Sequence, residues 1–392
     1  MKYLIIIFFI CSLTAGCITP HAVPLNEELK SAEDEQQLWG RVLKEQEAID
    51  SSGFLYHEPE LENYLNRIAK KLQAYSIAPD FEIQIKVLLD PNLNALAYPN
   101  GVIYIHSGIL ARMDNEAQLA AVLSHEMTHC THRHSLRVYR SIKDRPAYIA
   151  AVQDTLSKIS AVQEVARLLG ITGSMAAISG YNRELENEAD QVGLDLMTKA
   201  NYDSTEALRL FEHLKQENEA EGIEEPFFFG THPNVRQRIK NVRDWLAGEK
   251  KAKHPVVKNT AEFGLRLQRV VLANARLDLR LGRFDIAQKM VAKYLEMRPN
   301  NARAYYLLGE ILRQRDDQDD VGTAVRYYEK AISLDPFYSE PHKAMGLMHY
   351  KVGQKQLAKK FFESCLLLSP NTSDKAYIQG YLKNCKLSGE ES

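Results

Sequence analysis

Leu61, Tyr64, Leu65, Ile68, Ala69 and Leu72 recur at the i, i+3, i+4, i+7 spacing that lays one apolar stripe along a helix. Trp39, Val42 and Leu43 mark a shorter stripe before them, so residues 27–74 read as two amphipathic helices. The period then falls to two. Phe81, Ile83, Ile85 and Val87 alternate with Glu82, Gln84 and Lys86, which predicts a half-buried strand. Leu93 to Ala97 predicts a second strand, Tyr98-Pro99-Asn100-Gly101 a turn, and Val102-Ile103-Tyr104-Ile105 a third, together a small antiparallel sheet. Its exposed edge could hold an extended chain by main-chain hydrogen bonds, although the pattern does not say which strand is the edge. The unbroken run Leu119-Ala120-Ala121-Val122-Leu123 makes the next helix a buried one, and residues 147–178 return to helical spacing, with a break at Gly170 and Gly173.

Beyond a polar stretch at 248–255, the pattern becomes a repeat. Pro299, Pro336 and Pro370 recur at 37 and 34 residues, and small and aromatic positions recur behind them: Ala287 and Val291; Gly309, Ala324, Tyr328 and Ala331; Gly346, Ala358, Phe362 and Cys365. This is the tetratricopeptide pattern, in which each helix pair buries its face only against its neighbours. The second repeat carries an acidic insertion around 315–320, and Tyr377, Ile378 and Tyr381 predict a closing helix.

Length and charge narrow the classes. A chain of 392 residues with 45% apolar content can bury two ordinary cores, and a net charge of −2 excludes a nucleic-acid partner held by phosphate contacts. The start reads as an export signal: Lys2, the short apolar run Tyr3 to Ile10, then Leu13-Thr14-Ala15-Gly16-Cys17. That last stretch resembles a bacterial lipobox, so residues 1–16 are expected to be removed and Cys17 lipid-modified. No other segment is long and apolar enough to cross a bilayer, so membrane contact is expected through the N-terminal lipid alone. Cys130, Cys365 and Cys385 remain; Cys365 and Cys385 could pair in an oxidising compartment, or all three could be buried thiols.

The candidate chemistry begins where the buried helix continues into His125-Glu126-Met127-Thr128-His129. Two histidines four apart share a helix face and can reach one metal ion, with Glu126 beside its open position as a general base. A chain of this composition would show only about 0.03 such matches by chance. Zinc in a catalytic site needs a third protein ligand, and the run 183–190 offers it: Glu186 and Asp190 lie on one helix face, so one could bind metal and the other steady a ligand histidine. A solvated acidic helix start is the alternative for that run. His132 reads as a surface residue, two turns from His125.

These motifs resemble the Ste-type and HtpX-type zinc metallopeptidases, whose second motif is matched by Glu186 to Asp190 within Glu-Asn-Glu-Ala-Asp and whose preceding strand is matched by residues 94–104. The resemblance implies His125, His129 and Glu186 as zinc ligands, Glu126 as the catalytic base, Asp190 as the partner of a zinc histidine, and Glu184 and Glu188 as bystanders. Thr231-His232-Pro233 with Arg236 and Ile239 is similar to a motif of the BepA-like members, in which the histidine can take the place of the catalytic water as a regulatory ligand. The implied architecture is an α+β zincin-like metallopeptidase domain, helices around a small antiparallel sheet, at 17–248, a linker at 249–262, and an all-α tetratricopeptide solenoid at 263–392. The implied activity is that of a zinc-dependent endopeptidase, one Zn²⁺ per chain, in the periplasm and tethered to the outer membrane through Cys17. It would degrade misfolded or stalled outer-membrane proteins, and its repeats would hold these clients or their assembly machinery. The alternative is a chaperone-like assembly factor that binds clients while its metal site stays latent.

Overall fold

A computed structural model describes residues 32–142, 181, 183–220, 235–248, 256–315 and 320–387. The export signal, Cys17, His232, Phe227 to Phe229, residues 147–178 and most of the acidic insertion lie outside the described residues.

The two predicted helices form α1 (Ala32–Ser51) and α2 (Pro59–Gln73), and the predicted strands form β1 (Gln84–Leu88), β2 (Ala95–Ala97) and β3 (Val102–His106). In α1 the expected stripe is corrected: Leu38, Val42 and Ile49 are buried, whereas Trp39 and Leu43 are exposed, because the helix turns the i, i+4 and i+11 positions counted from Leu38 inward. The sheet order is β1-β3-β2. β2 and β3 pair antiparallel across the turn at 98–101, where Gly101 takes a φ of +90°. β1, however, pairs parallel to β3, in the register Gln84↔Val102 to Leu88↔His106, so the expected all-antiparallel sheet is corrected to a mixed one. The reason is topological. The connection 89–94 carries the chain past the place beside β1, and the hairpin then puts β3 there. The outer side of β1 is partly taken: Tyr56 N–H donates to the Val87 carbonyl at 2.9 Å and Leu89 N–H to Phe54 at 2.8 Å. β2 is therefore the edge facing the zinc motif's helix, against which it packs.

That helix is α4 (Glu116–Thr131), reached through the short α3 (Ser107–Arg112). The Asn115 side chain caps it by accepting the Gln118 N–H at 3.0 Å, and every residue of α4 is buried. Tyr64 and Tyr202 both donate to the Glu116 carboxylate, at 2.7 and 2.6 Å, which fixes its first turn. After a break come α5 (His134–Ile142), α6 (Arg183–Lys199), α7 (Thr205–Ala220) and α8 (Val235–Gly248). α6 lies close along α4 because Gly193 faces it; a Cβ there would sit 3.2 Å from the His125 nitrogen.

The repeat region follows as α9 (Thr260–Arg280), α10 (Phe284–Met297), α11 (Ala302–Arg315), α12 (Val321–Leu334), α13 (Ser339–Lys351), α14 (Lys355–Leu368) and α15 (Lys375–Leu387). The recurring small and aromatic positions meet in space: Gly309 lies against the Tyr328 ring and Gly346 against Phe362. Ile378 of α15 closes the last pair, packing with Phe362, Cys365 and Cys385, and the two cysteines are free, buried thiols.

The first repeat helix is not a separate module. Phe263, Leu267, Val270 and Val271 share one continuous core with α2, α4 and the sheet. Buried polar contacts join the two halves: Arg112, which Glu217 of α7 also holds at 2.9 Å, pairs with Asp278 of α9 at 3.0 Å, and Ser107 donates to Asn274 of α9 at 2.7 Å. Among the described residues no helix is long and apolar enough to cross a membrane.

Candidate metal centre

The helical repeat of α4 brings His125 and His129 together, with their Nε2 atoms 3.1 Å apart. From α6, Glu186 presents one carboxylate oxygen to each, 3.5 Å from His125 Nε2 and 3.5 Å from His129 Nε2. These edges fit zinc: bonds of about 2.0–2.1 Å in a tetrahedron place neighbouring ligand atoms roughly 3.3 Å apart. All three side chains are buried, as is Glu126, the next residue along α4. A carboxylate and two imidazoles could hold a metal ion here, and they match the donor types of a catalytic zinc with one position left for water.

The far side of each imidazole is occupied. His125 Nδ1 lies 3.1 Å from Asp190 Oδ1, one helical turn beyond Glu186, and His129 Nδ1 lies 2.8 Å from His134 Nδ1. Arg238 Nη2 also lies 3.0 Å from His125 Nδ1. In the tautomers whose Nδ1–H groups donate to Asp190 and His134, both Nε2 atoms offer lone pairs to the same point, an arrangement that a cation between them relieves. Burial and Arg238 press the His125 ring towards neutrality, yet Asp190 and Glu186 outweigh them and raise its pKa. The pocket thus favours a positive charge even before a metal enters it.

Asp190 is itself held by a residue that the sequence reading passed over. Arg238 of α8, buried, donates to Asp190 Oδ1 from Nε at 2.9 Å and from Nη2 at 2.7 Å, and its guanidinium stacks 4.7 Å from the Phe211 ring. Burial alone would push the Asp190 carboxyl up, but Arg238 and then His125 more than offset it and hold it low. The signal was available: Arg238 sits inside the apolar stripe of α8 beside Ile239 and Val242, where a cation has to be paired. Tyr181 was also missed; its ring stacks on His129 at 3.8 Å and 11°, and its hydroxyl meets Ser135 at 2.9 Å.

The structure brings His125, Glu126, His129, Glu186 and Asp190 together. Glu188 is not a bystander, and His132 is only partly exposed. Glu188 Oε1 is 2.6 Å from His132 Nδ1, and Arg137 donates to Oε2 at 2.9 Å.

Comparison with known proteins agrees with this geometry. Residues 57–246 match Peptidase family M48, and residues 272–339 and 344–372 match tetratricopeptide repeats. The mitochondrial metalloendopeptidase OMA1 of Schizosaccharomyces pombe is 31% identical over 194 residues, 49% of this chain and 54% of that protein. The beta-barrel assembly-enhancing protease of Escherichia coli is 25% identical over 203 residues, 50% of this chain and 41% of that protein. The metalloprotease YcaL of Escherichia coli is 27% identical over 258 residues, 64% of this chain and 98% of that protein. The chain thus spans about half the length or less of the first two. Two imidazoles, a carboxylate and a buried glutamate on paired helices lie inside the matched segment, and the chain accordingly carries a Peptidase family M48 domain followed by C-terminal tetratricopeptide repeats.

Proposed function

We propose that the protein is a zinc-dependent endopeptidase of the bacterial envelope that degrades misfolded or stalled outer-membrane proteins and assists their assembly. The observation that carries the reading is the convergence of His125, His129 and Glu186 on one point, with both histidines steadied from behind. A zinc ion bound there would polarise a peptide carbonyl and lower the pKa of a coordinated water towards about 7. Glu126 takes the proton of the attacking water and passes it to the leaving amine. Asp190 and His134 keep the two imidazoles in the tautomer that leaves Nε2 free. In this account the substrate site uses β2, the edge strand beside α4: it is buried in this state, and once uncovered it would pair with the main chain of an extended substrate, a mode that selects for unfolded backbone rather than for side-chain sequence.

Glu126 and the three ligands are all nearly inaccessible to solvent, which supports a resting state that must open before a polypeptide can enter. His232 is the regulatory ligand in this account. That role rests on the motif it shares with Arg236 and Ile239, and His232 itself lies outside the described residues. In this account the protein is exported to the periplasm and tethered by lipid at Cys17, a reading supported by the signal-like start of the sequence, and the repeats hold the client.

The test is cleavage of an unfolded protein by wild type and by Glu126→Gln. The variant is expected to keep fold and metal and to lose about 10²–10⁴ in rate; cleavage at the wild-type rate would sink the proposal. The assembly-factor reading is favoured instead if Glu126→Gln restores envelope integrity to a deletion strain as well as wild type does.

A further inference from the structure

A second group of the same residue types lies beside the metal centre. His132, His134 and Glu188 each bring a donor atom within 4.8 Å of the other two. Glu188 Oε1 is 2.6 Å from His132 Nδ1 and Oε2 is 3.5 Å from His134 Nε2. His134 is fully buried, and the 3.5 Å approach of Glu188 is too long to satisfy its Nε2 atom as a good hydrogen bond would; His132 Nε2 is buried without a hydrogen-bond partner. A buried ring nitrogen so poorly partnered is costly unless something else binds it. The pairing with Glu188 satisfies one side of His132 and leaves these atoms unexplained.

We propose that His132, His134 and Glu188 form a second, weaker site for a divalent transition metal, with zinc the best match to two imidazoles and a carboxylate. The proposal builds on the reading of His125, His129 and Glu186 as a metal centre. Two features make the second site the weaker one. The 2.6 Å between His132 Nδ1 and Glu188 Oε1 is shorter than the roughly 3.3 Å edge that zinc ligands need, so His132 must draw back. Arg137 also puts a positive charge 2.9 Å from the same carboxylate. The two sites share a residue's two faces: His134 Nε2 belongs to the second, while His134 Nδ1, 2.8 Å from His129 Nδ1, steadies the first. A metal at the second site draws on the ring that holds His129, so the two sites oppose each other, and by linkage the opposition is mutual. Excess zinc then restrains the peptidase through a site that is not its catalytic one.

The full chain, stripped by chelator, is titrated with Zn²⁺ in equilibrium dialysis, and bound zinc is counted for wild type, His132→Ala and Glu186→Gln. Wild type is expected to take two ions per chain, the second at least about tenfold more weakly. His132→Ala is expected to take one, tightly, and Glu186→Gln to lose the tight ion and keep the weak one. His132→Asn, which can still donate to Glu188, is expected to match His132→Ala and shows that the loss is not a collapse of the surroundings. Wild type stopping at one ion that His132→Ala retains, or His132→Ala still taking two, overturns the second site. A single ion that His132→Ala loses and Glu186→Gln retains overturns the first site instead.

Discussion

The two His/His/Glu groups, built by α4, α5 and α6 within a few ångströms of each other, use the same side chains to opposite effect. At His125, His129 and Glu186 the donor atoms stand 3.1 to 3.5 Å apart, close to the spacing around a zinc ion, and solvent is excluded. At His132, His134 and Glu188 the carboxylate has collapsed onto His132 and has Arg137 for company, and His132, His134 and Arg137 together hold its carboxyl well below the usual carboxylate range. What separates the groups is support from outside. Glu186 is left to face the imidazoles because Asp190, Arg238 and His134 satisfy everything behind them. A metal centre is therefore specified as much by the residues that pin its ligands as by the ligands.

The largest effect is expected from removing that support at the first group. Arg238→Met takes from the buried Asp190 carboxylate its charged partner and leaves it facing His125, an expected loss of about 3–5 kcal/mol of stability. It also frees His125, with an expected 10–100-fold loss of zinc affinity. Chemical denaturation and zinc titration check the two parts, and Arg238→Met/Asp190→Asn should recover most of the stability while leaving the affinity low. Equal stability of Arg238→Met and wild type would mean that the pair does not hold the site.

A smaller effect is expected from the residue that belongs to both groups. His134→Asn is expected to weaken zinc at the first site by about tenfold, the lower end of the range for outer partners of a ligand histidine, because Tyr181 still stacks on His129. Unchanged affinity would show that the His129–His134 contact is packing only.

The pattern that made the first group legible is local. His125 and His129 are one helical turn apart, as are Glu186 and Asp190, and a helical repeat places such pairs without knowledge of the fold. His134 defeats that logic. It is five residues from His129, a spacing that points away along a continuous helix, and it returns only because α4 ends at Thr131 and Arg133 takes a left-handed φ of +54°. Arg238 was hidden differently, by a motif read at Arg236 and Ile239 when the buried cation stands between them. The sheet shows the same limit: alternation located β1 and a turn between apolar runs located β2 and β3, but the parallel pairing of β1 with β3 depends on the path of residues 89–94, which carries no periodic signal. The repeats were readable from their period, whereas the burial of α9 in the peptidase core was not, since nothing in a repeat pattern names the surface that its first helix will meet.

The account rests on a metal held at the first group, and anomalous scattering locates it directly. Crystals of the protein loaded with one equivalent of zinc, measured on either side of the zinc absorption edge, are predicted to show one strong peak bounded by His125 Nε2, His129 Nε2 and the Glu186 carboxylate. No peak there, or a stronger one between His132, His134 and Glu188, would contradict it.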